Sequence, residues 1–136
     1  MNLTMKYIFK GVIKMYYKIQ INRGHYNWVN PNEYNINHRI EIFDDNSKKP
    51  TKVLNIVTDD DGYLFSEDAE PEEMANALEE YLTSLLFTTQ KEEIEDMIKF
   101  LREHSEELLK SKLEKELKDL EEKKEEIIER LNSLKG

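Results

Sequence analysis

Apolar and polar residues alternate through two stretches of the N-terminal half. From Met5 to Ile21 every odd position except Gly11 is a sizeable apolar residue, and lysines and amides fill most even positions. Period two is typical of a strand with one buried face, and the aromatic and β-branched content favours a strand over a basic amphipathic helix. The second stretch, residues 35–43, places four residues on one face: Ile36, His38, Ile40 and Ile42. We therefore expect two strands here.

Two further apolar runs flank a turn. Residues 52–58 read as a mostly apolar strand, and residues 63–65 follow an Asp-Asp-Asp-Gly sequence that ends at Gly62. Apolar runs on either side of Asp-Gly predict a hairpin. A calcium loop is the competing interpretation, but Val57 occupies the position where its first acidic ligand would be needed. The pattern over residues 1–66 thus predicts an antiparallel sheet of four to five strands.

The C-terminal half has helical periodicity. Pro71 suits a first helical turn, and a broad apolar stripe follows it. Its members are Met74, Ala77, Leu78, Tyr81, Leu82, Leu85 and Leu86. A stripe of this width predicts a helix that covers one face of the sheet. The expected fold class is therefore α+β, one domain with a sheet region over residues 1–66 and an acidic helical region over residues 67–136.

Residues 90–135 contain neither glycine nor proline and carry two heptad seams. The first comprises Ile94, Ile98, Leu101 and Leu108. The second comprises Leu113, Leu117, Leu120, Ile127, Leu131 and Leu134, with Lys124 in its gap. The seams are out of phase, which indicates either one helix that changes its buried face or a break near residues 110–114. We favour a continuous helix, and the competing interpretation is a helical hairpin that folds back on the domain.

A helix of that length would outrun a small domain, since it rises about 1.5 Å per residue. Its second seam is therefore predicted to form a coiled coil between copies of the chain, with the seven residues from Leu113 to Leu134 as the interface. A lysine at a core position of such a seam can set register or oligomer state.

Charge is divided unevenly along the chain. The net charge is −9, and residues 1–66 carry nine basic against seven acidic residues whereas residues 67–136 carry eleven against twenty-two. An acidic helical surface repels phosphates, so nucleic acid is not an expected partner. The chain has no cysteine, which excludes disulfides and thiolate metal sites and favours a cytoplasmic location. Apolar runs long enough for a membrane span are absent from the sequence.

The loop between the first two strands is rich in aromatic and amide side chains. It contains the only tryptophan, and arginines flank it on both sides. Aromatic rings could stack on a planar group and asparagines could read hydrogen-bonding edges. The candidate contact residues are Arg23, His25, Tyr26, Asn27, Trp28, Asn30, Asn32, Tyr34 and Arg39. The competing interpretation is a structural turn that Trp28 and Val29 anchor in the core.

Catalytic patterns are weak. No serine lies in a Gly-flanked nucleophile elbow and the four glycines are scattered, so no phosphate-binding loop is formed. His38 alternates with isoleucines, which predicts a hydrogen-bonded core histidine. A metal-dependent hydrolase using His25 and His38 is the weakest hypothesis. We expect no enzyme, cofactor or metal.

The sequence leads to one main functional hypothesis. It is a non-enzymatic, homo-oligomeric binding protein that engages a protein target through its acidic helical face or the loop at residues 25–35, as an inhibitor or decoy would. The alternative is a protein that sequesters a nucleotide-like ligand in a pocket built from the aromatic and asparagine-rich loop.

Overall fold

The architecture is a three-stranded sheet followed by three helices. The computed structural model describes residues 15–25, 34–44, 47–59, 62–85 and 88–135. The strands are β1 (Met15–His25), β2 (Tyr34–Asp44) and β3 (Lys52–Asp59), and the helices are α1 (Pro71–Ser84), α2 (Lys91–Glu103) and α3 (Ser105–Lys135). The α+β class predicted from the sequence is confirmed.

The sheet is antiparallel with the order β1-β2-β3. Its register places Ile19 opposite Ile40, and Ile40 opposite Leu54. Paired residues share a face, so the alternating isoleucines of the three strands form one apolar surface. That surface packs against the helices: the four even positions predicted for one face of β2, residues 36, 38, 40 and 42, are all buried.

The described residues hold three strands, where the sequence analysis predicted four to five. The run Tyr63–Phe65 accounts for one missing strand. Gly62 closes a turn by donating its N–H to the Asp59 carbonyl at 2.8 Å, but the chain then does not pair with β3. Instead the Leu64 N–H donates to His38 Nε2 at 3.1 Å and Phe65 is buried. The His38 side chain thus accepts the Leu64 N–H, which in a hairpin would donate to the neighbouring strand. The predicted segment before Met15 lies outside the described residues.

α1 and α2 both cover the sheet, where the sequence predicted one covering helix, and the start of α3 also packs against β1. α1 begins with a reciprocal capping box between Glu70 and Glu73, in which the Glu70 N–H donates to Glu73 Oε1 at 2.9 Å, and Pro71 follows. Met74 and Leu78 of α1 and Met97 and Leu101 of α2 are buried in the same core as the sheet isoleucines.

Arg102 holds the two covering helices together at their exposed side. It donates to Glu79 Oε2 at 2.9 Å and to Asn76 Oδ1 at 3.1 Å. The hydrogen bond and charge of Arg102 lower the pKa of the Glu79 carboxyl below its usual value. Because all three side chains are solvent-exposed, this pairing orients the helices more than it stabilises them.

The prediction of one continuous helix over residues 90–135 is wrong, because one residue interrupts the helix. The helix is interrupted at His104, which ends α2 with φ −113° and ψ 19°, and α3 starts immediately afterwards. Leu101 and Leu108, on either side of His104, are both fully buried. Helix α2 packs against α1 and β3, whereas α3 packs against β1. The interruption at His104 thus lies between two leucines of the same core. The break near residues 110–114, which was the competing interpretation, is also wrong, because these residues are helical throughout.

Candidate interaction surface

α3 leaves the domain after its first two turns. Leu108 is fully buried in the core, and one turn later the Ser111 hydroxyl donates to the Met15 carbonyl at 2.6 Å. From residue 113 to residue 135 every side chain is exposed. The helix has 31 residues, or about 46 Å at about 1.5 Å per residue, and more than half of it stands clear of the domain. We call residues 113–135 the arm.

The apolar residues of the arm lie on one side of it. The predicted interface residues follow a four-three spacing that keeps them in line: Leu113, Leu117, Leu120, Lys124, Ile127, Leu131 and Leu134. We call this set the arm seam. Its aliphatic members are 50–82% exposed, with Leu134 the most exposed. Large apolar side chains in a contiguous exposed row mark an interaction surface.

Sequence reasoning missed two residues that widen the seam. Leu109 is half-buried beside the start of the arm, and Ile128 is 45% exposed near its end. Each follows another large apolar residue directly, Leu108 or Ile127. These pairs of adjacent apolar residues could have revealed the wider seam from the sequence, because the second residue of each pair widens the apolar stripe around the helix.

A shallow apolar groove lies where the arm begins. It has a volume of about 370 Å³ and its floor is formed by Leu109, Leu113 and Leu117. The side chains of Glu106, Lys110 and Glu114 form its rim. The groove is wide enough to receive aliphatic side chains from another helix.

The acidic surface is concentrated on α1, α2 and the segment that leads into them. Residues 67–103 carry twelve acidic and three basic side chains, and all fifteen are exposed. Residues 104–136 carry ten acidic and eight basic residues and are close to balanced. The acidity predicted for the whole helical half is thus concentrated in residues 67–103, which belong to the domain and not to the arm. We call residues 67–103 the acidic face.

Most of the predicted loop contacts fall outside the described residues. Tyr26, Asn27, Trp28, Asn30 and Asn32 lie there. For His25 only the backbone at the end of β1 is described. Arg23 and Tyr34 are described, and the Arg23 guanidinium lies 4.7 Å from the centre of the Tyr34 ring. These two residues form the described edge of the candidate loop.

The two flanking arginines do not come together. Arg23 is paired with Ile36 and so belongs to the face of the sheet that the helices cover. Arg39 is paired with Gln20 and lies on the opposite face, where its Nε is 3.2 Å from Glu41 Oε2. The two arginines therefore do not form one site that could hold a phosphate jointly.

His38 is a core residue, as predicted. It is 1% exposed, its Nε2 accepts from the Leu64 N–H and its Nδ1 lies 3.3 Å from the Ile56 carbonyl. An accepting Nε2 requires the proton on Nδ1, so the ring is neutral and both nitrogens are engaged. Burial lowers the pKa of His38, against the smaller effect of the Ile56 carbonyl. Neither nitrogen has a lone pair free for the metal that the hydrolase hypothesis needs.

One larger groove, of about 850 Å³, lies between the end of α1 and α2. Its walls combine Leu82, Leu85 and Ile98 with exposed charges such as Lys91 and Glu95. The charges are of both signs and belong to the surface, so the groove does not define a ligand class. Within the described residues, no three His, Asp or Glu side chains are grouped as a metal site.

Comparison of the chain with protein-family models, with curated proteins and with solved structures found no match. Among the described residues, none of the helices is long and apolar enough to cross a membrane.

Proposed function

We propose that the protein is a non-enzymatic, homo-oligomeric binding protein in which the arm joins copies of the chain. The observation that carries the proposal is the arm seam, a row of aliphatic side chains on a helix that no other described part of the chain covers. In globular proteins a helix owes most of its stability to the packing of an amphipathic face. The arm has the face, but none of the described residues packs against it.

A second copy is the occupant that the seam fits best. The four-three spacing is the heptad pattern of a coiled coil, in which each seam residue enters a hole on the facing helix. The pattern runs for three heptads with one polar interruption, Lys124. The arm of a second copy of the chain carries the same pattern and is therefore a matching partner.

Assembly would bring two acidic faces into one particle. The acidic face carries a net charge of −9, which attracts basic surfaces over a distance set by the salt concentration. We propose that its target is a basic protein surface, which the acidic face would occupy as an inhibitor or decoy does. Two copies of a charged face raise the avidity for a target with two sites.

Light scattering of the full chain tests the assembly. We expect a mass of twice 16.3 kDa or more at micromolar concentration, whereas a mass of 16.3 kDa would contradict the proposal. Leu120→Glu places a charge in the seam and is expected to give monomers. Asn132→Glu adds the same charge on the outer side of the arm and is expected to leave the assembly intact.

A lysine-rich peptide tests the acidic face. Replacing Glu92, Glu93 and Glu95 by Gln should weaken peptide binding several-fold at low salt, and the difference should vanish at high salt, because the attraction is long-range and screened. The matched control replaces Glu122, Glu125 and Glu126 of the arm by Gln. Equal losses in both variants would show that binding depends on net charge and not on the acidic face.

A further inference from the structure

The proposed assembly leaves the direction of the two arms open, and their charges decide it. Resting on the proposed function, we infer that two copies pair antiparallel along the arm seam. Leu113 of one copy then lies opposite Leu131 of the other, and Lys124 lies opposite Leu120. The partner is therefore a second copy of this chain in one defined orientation.

A parallel pair in register would bring like charges together. The four-three spacing makes Leu117, Lys124 and Leu131 equivalent core positions, each of which would face its own counterpart. Lys124 would meet Lys124 inside the seam. Along the flanks, Glu116 would approach Glu121 and Arg130 would approach Lys135, each twice because of the two-fold symmetry. No flanking pair would join opposite charges.

An antiparallel pair removes the worst of these contacts. Core positions of one class then face those of the other class, so Lys124 lies against Leu120 of the second copy. Its aliphatic stem covers that leucine, and its ammonium is directed to the neighbouring Glu121. Glu116 comes within one helical turn of Arg130. Each of these two opposite-charge contacts occurs twice.

Only the centre of the antiparallel pair retains like charges. Glu121 and Lys123 each approach their own counterpart once, at the two-fold axis, beside the ammonium groups of the two Lys124 side chains. The antiparallel pair thus has four opposite-charge contacts and two like-charge contacts. The parallel pair has five like-charge contacts and none of opposite sign. Charge is therefore the term that separates two arrangements with the same apolar seam.

The groove at the start of the arm supports the register. With Leu113 opposite Leu131, the end of the second arm reaches the groove floored by Leu109, Leu113 and Leu117. Leu134, which is 82% exposed, would then enter this groove. In a parallel pair, the groove would face only the same groove of the second copy, and Leu134 would face Leu134.

Disulfide trapping tests the orientation, because the chain contains no cysteine of its own. Two full-length variants that keep Lys124 are made, Leu117→Cys and Ile127→Cys, whose cysteines lie opposite each other in the antiparallel register, and one of them carries a mass tag. The variants are mixed, exchanged under reducing conditions and then oxidised, and the products are separated without reductant. A disulfide forms only where Cα atoms come within about 7 Å. We expect the mixed disulfide to be the main product.

The outcomes separate the orientation from the assembly. A dominant Leu117→Cys homodimer would overturn the antiparallel pair while leaving the proposed oligomer intact. Efficient trapping of Leu117→Cys with Leu134→Cys instead would overturn the register. A chain that stays monomeric by light scattering and forms no disulfide would overturn the inference together with the proposed function.

Discussion

The hydroxyl of Ser111 donates a hydrogen bond to the main-chain carbonyl of Met15, 96 residues earlier in the chain, at 2.6 Å. Among the described residues, it is the most C-terminal hydrogen bond between a side chain of α3 and the sheet. N-terminal to it the helix is part of the core, and C-terminal to it the arm begins. The contact therefore fixes the direction in which the arm leaves the domain.

Ser111→Ala is expected to lower the free energy of unfolding by about 1 kcal/mol, the usual contribution of one hydrogen bond. Chemical denaturation followed by circular dichroism measures it. Ser133→Ala is the matched control, since the Ser133 hydroxyl donates only to Arg130 in its own helix. Equal losses in the two variants would show that the Met15 contact does not anchor α3.

Two leucines of α3 provide a second contrast. Leu108→Ala should destabilise the chain by about 2–5 kcal/mol, because Leu108 is fully buried and its truncation leaves a cavity. Leu113→Ala should cost less than about 0.5 kcal/mol in the monomer, because Leu113 is 51% exposed there. Both are measured by urea denaturation at a protein concentration low enough for the chain to be monomeric. A large loss for Leu113→Ala under these conditions would mean that the arm folds back on its own domain.

Lys124→Leu should strengthen assembly. It replaces a charge by an apolar side chain at the interrupted position of the seam, and burying a leucine contributes about 1.5–3 kcal/mol. The dissociation constant from sedimentation equilibrium should fall at least tenfold. The lysine also opposes the parallel pair, so adding Lys124→Leu to the Leu117→Cys and Ile127→Cys variants should make their parallel and antiparallel disulfides form more equally. Unchanged affinity would place Lys124 outside the interface.

Acid should weaken the fold through His38. Its pKa in the folded chain is lowered by burial, so the unfolded chain binds the proton more readily. Stability due to this residue is present above the unfolded value of about 6.5 and is lost as pH falls from there through the folded pKa. Thermal unfolding between pH 7.5 and pH 5 should show this loss.

His38→Phe is the matching variant. It keeps the ring but leaves the Leu64 N–H without its acceptor, which should cost about 1–3 kcal/mol at neutral pH. The same change should remove part of the acid-dependent loss. His104→Gln is the control, since His104 is only half-buried, at the junction of α2 and α3. A full acid response in His38→Phe would assign that response to carboxylates instead.

Much of the architecture was predictable because periodicity records which face of an element is buried. The isoleucines of β2 alternate at period two, and the stripe of α1 recurs at helical spacing, so strand, helix and core face all followed from local pattern. His38 was recognised as a core residue on the same basis. The arm seam was recognised because its four-three spacing continues past the length that a small domain can cover.

Where the chain turns was decided by contacts between residues far apart in sequence. Tyr63–Phe65 has the composition of a strand, but His38, 26 residues earlier, accepts the Leu64 amide and takes the segment out of the sheet. The interruption at His104 has no glycine or proline to mark it. It separates a helix that packs against α1 and β3 from a helix that packs against β1.

The sequence by itself thus determined the class of fold, the buried face of each element and the seam of the arm, since these depend on the spacing of side chains along one element. The tertiary structure alone decided the number of paired strands and the interruption at His104 between α2 and α3. It also separated Arg23 from Arg39, which lie on opposite faces of the sheet. These features depend on which elements meet, and a linear pattern does not carry that information.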